Sequence, residues 1–235
     1  IMRHETLRTT FPSVDGVACQ KVSAQTGVRM DWQDFSALNE PQRQQRLQQL
    51  ADVEAHTPFN LETGPLLRAC LVKAGDQEHY LVLTLHHIVT EGWAMDIFAR
   101  ELSALYEAFI DERESPLEPL PVQYLDYSVW QRQWLEAGER PRQLDYWTTQ
   151  LGHEHPLLEL PSDRPRPAVQ THQGELYRFD LSADLAARVR AFKAEHGLTL
   201  FMTMTATLAL LLYRYSGQTD LRIGAPVANR IRPES

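Results

Sequence analysis

A chain of 235 residues, 43% hydrophobic and 23% charged, has ordinary globular composition and enough apolar mass for one large domain or two smaller lobes. Its formal net charge of -8 argues against a nucleic-acid partner, because neutralising phosphates takes clustered Lys and Arg, and no such cluster stands out. Cys19 and Cys70 are too few for a disulfide framework and fit a reducing, cytoplasmic setting, and no apolar run reaches the length of a membrane span.

The chain opens on IMRHETLRTTF, without an initiator Met and reading as the tail of a helix, and stops at NRIRPES; both ends are expected to be cut from something longer. GVACQKV (16–22) and VRMDW (28–32) predict short strands. Residues 40–54 predict a Pro-started, Gln/Arg-rich helix with Leu47, Leu50 and Val53 at helical spacing. PLLRACLVKA (65–74) and EHYLVLTLHH (78–87) predict a strand pair turning at 75–77, the second strand being placed centrally in its sheet. From Glu91 the period becomes 3.6, with Met95, Phe98, Leu102, Leu105, Tyr106 and Phe109 as one stripe of a helix reaching about 110.

RESPLEPLPVQ (113–123) reads as a Pro-rich connector, followed by the aromatic helix YLDYSVWQRQWLE and by a second helix, RPRQLDYWTTQL. PSDRPRPAVQTHQG (161–174) is the strongest linker signal, so one lobe is expected to end there and another to begin. Beyond it, ELYRFDL predicts a strand, SADLAARVRAFKAEHG a helix with Ser182 as N-cap and Gly197 as its stop, TLFMTMTATLALLLYRYSG a buried helix closed by Gly217, and DLRIGAPVANR a final strand. The pattern is mixed α/β, with antiparallel hairpins as well as helical crossovers.

The adjacent histidines of LTLHHIVTEGW leave three readings open. His86 and His87 alternate at a strand end, one packed and one wet. Alternatively, His87 and Glu91 have the i, i+4 spacing of a metal-ligand pair, although no further His or Cys stands at ligand spacing. The third is acid–base chemistry: a titratable nitrogen, a glycine and the free N–H groups of a helix start are what a developing anion needs.

Several motifs in one order resemble the condensation domains of nonribosomal peptide synthetases, relatives of chloramphenicol acetyltransferase. RHETLRTTF (3–11) is similar to the family's Arg-His-Glu motif, HHIVTEGW (86–93) to its His-His-x-x-x-Asp-Gly motif, YLDYSVW (124–130) to its aromatic helix and IGAPVANR (223–230) to its Gly-x-Pro-x-Ala-Asn-Arg strand; PFNLETGPLLR (58–68) and PSDRPRP (161–167) also match. The resemblance implies an α/β fold of two chloramphenicol acetyltransferase-like lobes in a V. Residues 1–165 would form the N-terminal lobe without its first strand and helix, 166–174 a linker, and 175–235 the start of an incomplete C-terminal lobe.

It also implies amide formation between two aminoacyl or peptidyl thioesters, each carried on the 4'-phosphopantetheine of a carrier protein, with an L-configured donor. Donor and acceptor carrier proteins and an adjacent adenylation domain are the implied partners; no cofactor is bound directly, no metal is expected, and neither nucleic acid nor membrane is engaged. Residue by residue, His87 would sit at the attacking amine, as a base or by orienting it, His86 beside it in a more structural role, and Gly92 would give room and a backbone N–H near the oxyanion.

Glu91 stands where the family has Asp, and is expected to pair with Arg3 in altered geometry; Arg8 is a supporting cation. Trp93 lines the tunnel or staples the helix, Asn229 and Arg230 organise the lobe junction, and Tyr124, Asp126, Tyr127 and Trp130 are expected to pack rather than face substrate. The competing readings are a catalytically impaired module that docks carrier proteins, and an acyltransferase using coenzyme A thioesters.

Overall fold

The computed structural model describes residues 1–24, 27–165, 167–171, 174 and 176–227. The described residues form two compact units, 1–140 and 141–227. Small mixed sheets and helices make up the first unit, which agrees with the mixed α/β expectation.

A single 3-10 turn, Glu5–Arg8, opens the first unit and leads into two small antiparallel pairs. β1 (Thr9–Thr10) pairs with β4 (Lys21–Val22), and β2 (Ser13–Val14) with β3 (Val17–Ala18). Arg8 ties this region together: one guanidinium nitrogen donates to the Ser23 carbonyl at 2.6 Å and another to Glu5 Oε1 at 3.0 Å.

The main sheet has three strands in the order β5 (Met30–Asp34), β6 (Leu67–Lys73), β7 (His79–Leu85). β5 runs parallel to β6 from Met30↔Ala69 to Asp34↔Lys73, and β6 and β7 form an antiparallel hairpin from Leu67↔Leu85 to Lys73↔His79. The predicted turn is closed by the Ala74 and Gly75 N–H groups, which both donate to the Glu78 carbonyl. Among the described residues β6 is therefore the central strand of this sheet, and β7, which leads to the histidines, lies at its edge. The apolar run of 80–85 suggested a central position, but half-buried side chains on an edge produce the same pattern.

The parallel pair needs a crossover, supplied by α1 (Glu40–His56). Asn39 and Gln42 cap it reciprocally: the Gln42 N–H donates to Asn39 Oδ1 at 3.0 Å and the Asn39 N–H to Gln42 Oε1 at 3.3 Å. Leu47 and Leu50 pack on a core of Phe35, Cys70 and Val72, whereas Val53 is exposed.

α2 (Gly92–Ile110) has its more buried face along Glu91, Ala94, Phe98, Glu101, Leu105 and Ala108. This corrects the predicted stripe: Phe98 and Leu105 belong to the packed face, but Met95, Leu102, Tyr106 and Phe109 are exposed. Large apolar residues surround this helix, so size does not mark the packed side; the small Ala94 and Ala108 do, because they permit close approach. α3 (Tyr124–Trp134) continues into a π-type turn, Leu135–Glu139, where Gly138 takes φ 118°, a backbone angle that a side chain would strain.

The second unit contains most of α4 (Arg140–Leu151), together with α5 (Ala183–Glu195) and α6 (Leu200–Ser216). Ser182 and Thr199 cap the last two through their hydroxyls, and Gly217 closes α6 in the left-handed conformation at φ 70°. Gln218 and Arg222 fasten the chain after α6 to residues 151–159: the Gln218 amide bonds Leu157 O and the Glu159 N–H, and Arg222 donates to Leu151 O.

Three expectations change in this unit. ELYRFDL is not a strand in its described part, 176–181, nor is DLRIGAPV, 220–227; the rest of each lies outside the described residues. A strand exists through its ladder, and neither segment pairs with another strand among the described residues. The α6 helix is largely exposed, with Thr203 its one buried residue among those described. No single described helix is long and apolar enough to cross a membrane; α5 and α6 pass that test only as a pair bent by 109°.

Candidate active site

The chain leaves β7 at Leu85 and turns through His86–Glu91 into α2. Three backbone bonds fix the turn: the His86 N–H donates to Leu66 O at 3.0 Å, the Val89 N–H to His86 O at 3.0 Å, and the Ala94 N–H to Glu91 O at 3.0 Å. His86 Nδ1 accepts the Ile88 N–H at 3.0 Å, which leaves the neutral ring protonated on Nε2. Its ring stands edge-on to Phe59 with centroids 5.8 Å apart, and the Arg68 guanidinium lies 3.9 Å from the centre of the Phe59 ring. Arg68 is itself gripped by Glu54 Oε2 at 2.7 Å and by the Glu54 and Thr57 carbonyls.

His86 thus spends its acceptor nitrogen on its own turn, and His87 is left exposed at the mouth of an open cavity of about 820 Å³. Three sequence-distant segments line that cavity with it. The opening segment gives His4, Thr6 and Leu7; the loop and α2 give His87–Glu91, Trp93, Ala94, Ile97 and Phe98; and α3 gives Tyr124, Asp126, Tyr127 and Trp130. The aromatics of α3 meet in sequence, with Tyr124–Tyr127 tilted at 6.0 Å, Tyr127–Trp130 tilted at 5.6 Å and Trp130–Trp134 stacked at 5.9 Å. Here the packing expectation holds only in part: these rings pack on one another and also form a wall of the cavity. Asp126 does the local work expected of it, accepting the Gln123 N–H at 2.8 Å to cap α3.

Neither His86 nor Gly92 lines the cavity. Gly92 is the first residue of α2, and a Cβ built on it would meet no atom within 4 Å, so its value lies in its N–H rather than in relieved crowding. Glu91, the N-cap, makes no side-chain cap bond, which leaves the first N–H groups of the helix without that competitor. Trp93, 77% exposed, lies over this opening. Trp93→Ala is expected to weaken substrate binding through the lost cavity wall while changing stability by no more than about 0.5 kcal/mol, as for exposed positions generally; KM and a urea melt check the two halves.

On the Arg3 side, the expected ion pair with Glu91 gives way to Glu101. Arg3 Nε donates to Glu101 Oε1 at 3.1 Å, and a second nitrogen donates to the Glu118 carbonyl. Ten residues of helix separate the two glutamates, about 15 Å of rise, so they do not share this guanidinium. Glu101 Oε2 lies 2.6 Å from His4 Nε2. Sequence reading missed Glu101; the available signal was a carboxylate in the run Ala94, Phe98, Glu101, Leu105, with a dibasic Arg3-His4 opening in need of an acid.

Burial would raise the Glu101 carboxyl, but the hydrogen bonds from His4 and Arg3 and the Arg3 charge outweigh it and hold it below the usual carboxylate range. With the folded value below the unfolded one, the stabilisation is complete above the unfolded value and is lost as pH falls through the folded one. Glu101→Gln is therefore expected to cost about 1–3 kcal/mol at neutral pH, with the gap from the parent closing in acid, as urea unfolding across pH 3–7 would read. Burial pushes the Cys70 thiol up, away from nucleophilic use. Among the described residues, no three His, Cys, Asp or Glu side chains are grouped to hold a metal ion. Asn229 and Arg230 lie outside the described residues.

With this geometry in hand, the family model for the condensation domain matches residues 1–235. The chain belongs to the condensation-domain family. This condensation domain is 46% identical over 235 residues to a linear gramicidin synthase polypeptide of Brevibacillus parabrevis, covering 100% of the chain and 5% of that protein. It superposes on the X-domain from teicoplanin biosynthesis with a TM-score of 0.82 at 31% identity, covering 93% of this chain and 48% of that one; the same X-domain is also known in a complex with OxyB. A four-domain nonribosomal peptide synthetase bound to AMP and glycine gives a TM-score of 0.79 over 97% of this chain and 17% of its own, at 24% identity, a likeness of fold. These neighbours confirm the chloramphenicol acetyltransferase-like fold class, and the condensation domain spans less than half the length of the proteins it matches.

Proposed function

We propose that this condensation domain forms an amide between two carrier-bound thioesters. The observation that carries the reading is the shared cavity in which His87 meets the opening segment and the aromatic wall of α3. An acceptor α-amine attacks the donor thioester carbonyl, the new C–N bond forms as a tetrahedral oxyanion, and collapse breaks the C–S bond. The amine proton, taken up or guided by His87, ends on the departing phosphopantetheine sulfur. In this reading the N–H groups at the start of α2, in the N-terminal field of a 19-residue helix, stabilise the oxyanion. Holding amine and thioester together supplies roughly 7–11 kcal/mol, and a placed base about 10²- to 10⁴-fold, so orientation is the larger share.

The substrates are the 4'-phosphopantetheine arms of donor and acceptor carrier proteins, with no cofactor of the domain's own and an adenylation domain as neighbour. IGAPVANR supports an L-configured donor, and the domain is assigned to the cytoplasm. We divide it at 166–174, with 1–165 and 175–235 as parts of the two lobes.

The test loads two carrier proteins and follows amide product by mass spectrometry for the present sequence, Glu91→Asp and His87→Ala. Product from the first two and about 10²- to 10⁴-fold less from the third is expected, since Arg3 is anchored on Glu101 and does not depend on residue 91. A second reading, a docking module, draws on the X-domain relative known in a complex with another protein. Carrier binding without product from any of the three forms would favour it and end the enzyme reading.

A further inference from the structure

His4 is a second imidazole on the cavity wall, and it is held from several directions. The Gln123 side chain brackets its backbone, with Nε2 donating to Arg3 O at 2.9 Å and Oε1 accepting the Glu5 N–H at 3.1 Å. Glu101, its side chain 14% exposed, takes the ring at 2.6 Å through one oxygen and Arg3 at 3.1 Å through the other. A carboxylate accepts only, so the nitrogen facing it must carry the proton. In the neutral ring that leaves Nδ1 as the acceptor, and Nδ1 has no hydrogen-bond partner among the described residues.

The contrast with His86 is instructive. Both rings would carry the proton on Nε2, but His86 Nδ1 is consumed by the Ile88 N–H and that ring does not reach the cavity. His4 lines the cavity with its acceptor free. A clamp for Arg3 alone would need only one of the two Glu101 oxygens, and the shorter contact goes to the imidazole.

We propose that Glu101 is a positioning residue of this site: it locks the tautomer and orientation of His4 so that the cavity offers a second imidazole acceptor, in addition to His87, to an N–H or S–H group of a bound substrate arm. The nature of that arm rests on the function proposed above; the tautomer does not. Anchoring by a carboxylate is a general way of setting which imidazole nitrogen is available. Loss of such alignment, on the order of 1 Å, costs about 10²-fold in rate.

Two readouts test it in the intact protein labelled with ¹⁵N-histidine, the His4 ring being assigned by its loss in His4→Asn. Ring nitrogen shifts at neutral pH are expected to show Nε2 protonated and Nδ1 bare. Glu101→Gln should give mixed tautomers and slow amide formation by about 10- to 100-fold, mainly in kcat, with Glu101→Asp recovering part of the loss. A proton on Nδ1, or on both nitrogens, in the parent protein overturns the proposal, as does a Glu101→Gln variant that keeps its rate. If Glu101→Gln does not fold, the parent spectrum still decides the tautomer and Glu101→Asp the rate. A parent protein that makes no amide from two loaded carriers defeats the proposed reaction instead, and leaves the role of Glu101 toward His4 to the spectra.

Discussion

His87→Ala is expected to lower amide formation by about 10²- to 10⁴-fold and to leave the unfolding transition where it was. The two halves have separate causes. The imidazole is exposed at the cavity mouth, so its removal opens no hole in a core and strands no buried partner. Its loss does take away the imidazole to which the proposed reaction gives the handling of a proton or the aiming of an amine. The matched variant His86→Ala should behave in the opposite way. It releases the Ile88 N–H and the edge contact with Phe59, so stability falls along with activity. Product by mass spectrometry beside a urea melt separates them, and a His87→Ala protein with full turnover would remove His87 from the reaction.

Leu66→Ala is expected to destabilise the first unit by about 2–5 kcal/mol, the usual range for a leucine cut from a closed core. Leu66 is 1% exposed, and its carbonyl receives the His86 N–H that starts the histidine turn. The void therefore opens at the residue whose backbone anchors the histidine turn, and activity should fall even where most molecules remain folded. Val53→Ala, on an exposed face of α1, serves as the control and should shift stability by about 0.5 kcal/mol at most. Urea denaturation of both variants measures the difference, and equal midpoints would refute the placement of the core.

Local signals carried much of the fold. The turn before Glu78 and the caps Ser182 and Gly217 are each written within a few residues, and each formed where expected; the Asn39–Gln42 cap is as local, though it was not read from the sequence. What eluded the sequence depends on distant partners. Residues 176–181 and 220–227 have strand composition but no strand pairs with them among the described residues, and composition does not say who the neighbour is. The packed face of α2 was hidden because that helix is apolar on more than one side. For the candidate site, the paired histidines and the order of motifs brought His87, Glu91 and Trp93 into view, and the cavity includes all three. The partner of Arg3 was assigned by family habit to residue 91, whereas the structure places it ten residues further along the helix, on Glu101. The aromatic helix was discounted because ring stacking and cavity lining give the same helical spacing.

The three-stranded sheet carries a consequence for the order of assembly. β6 and β7 are neighbours across a tight turn and can pair within microseconds of collapse, so the ledge that ends in the histidine turn belongs to the cheapest contacts to form. β5 must wait for α1 to be laid across, because a parallel pairing closes a long loop before it returns any ladder bonds. Later still come the links from Arg3 and His4 to Glu101, which span 98 and 97 residues. During synthesis, Glu101 emerges long after the residues it must catch, so the opening segment stays unanchored until α2 has left the ribosome. A folding chain would thus hold a finished histidine turn before it has a cavity, so His87 stands without its cavity walls until the last contacts are made.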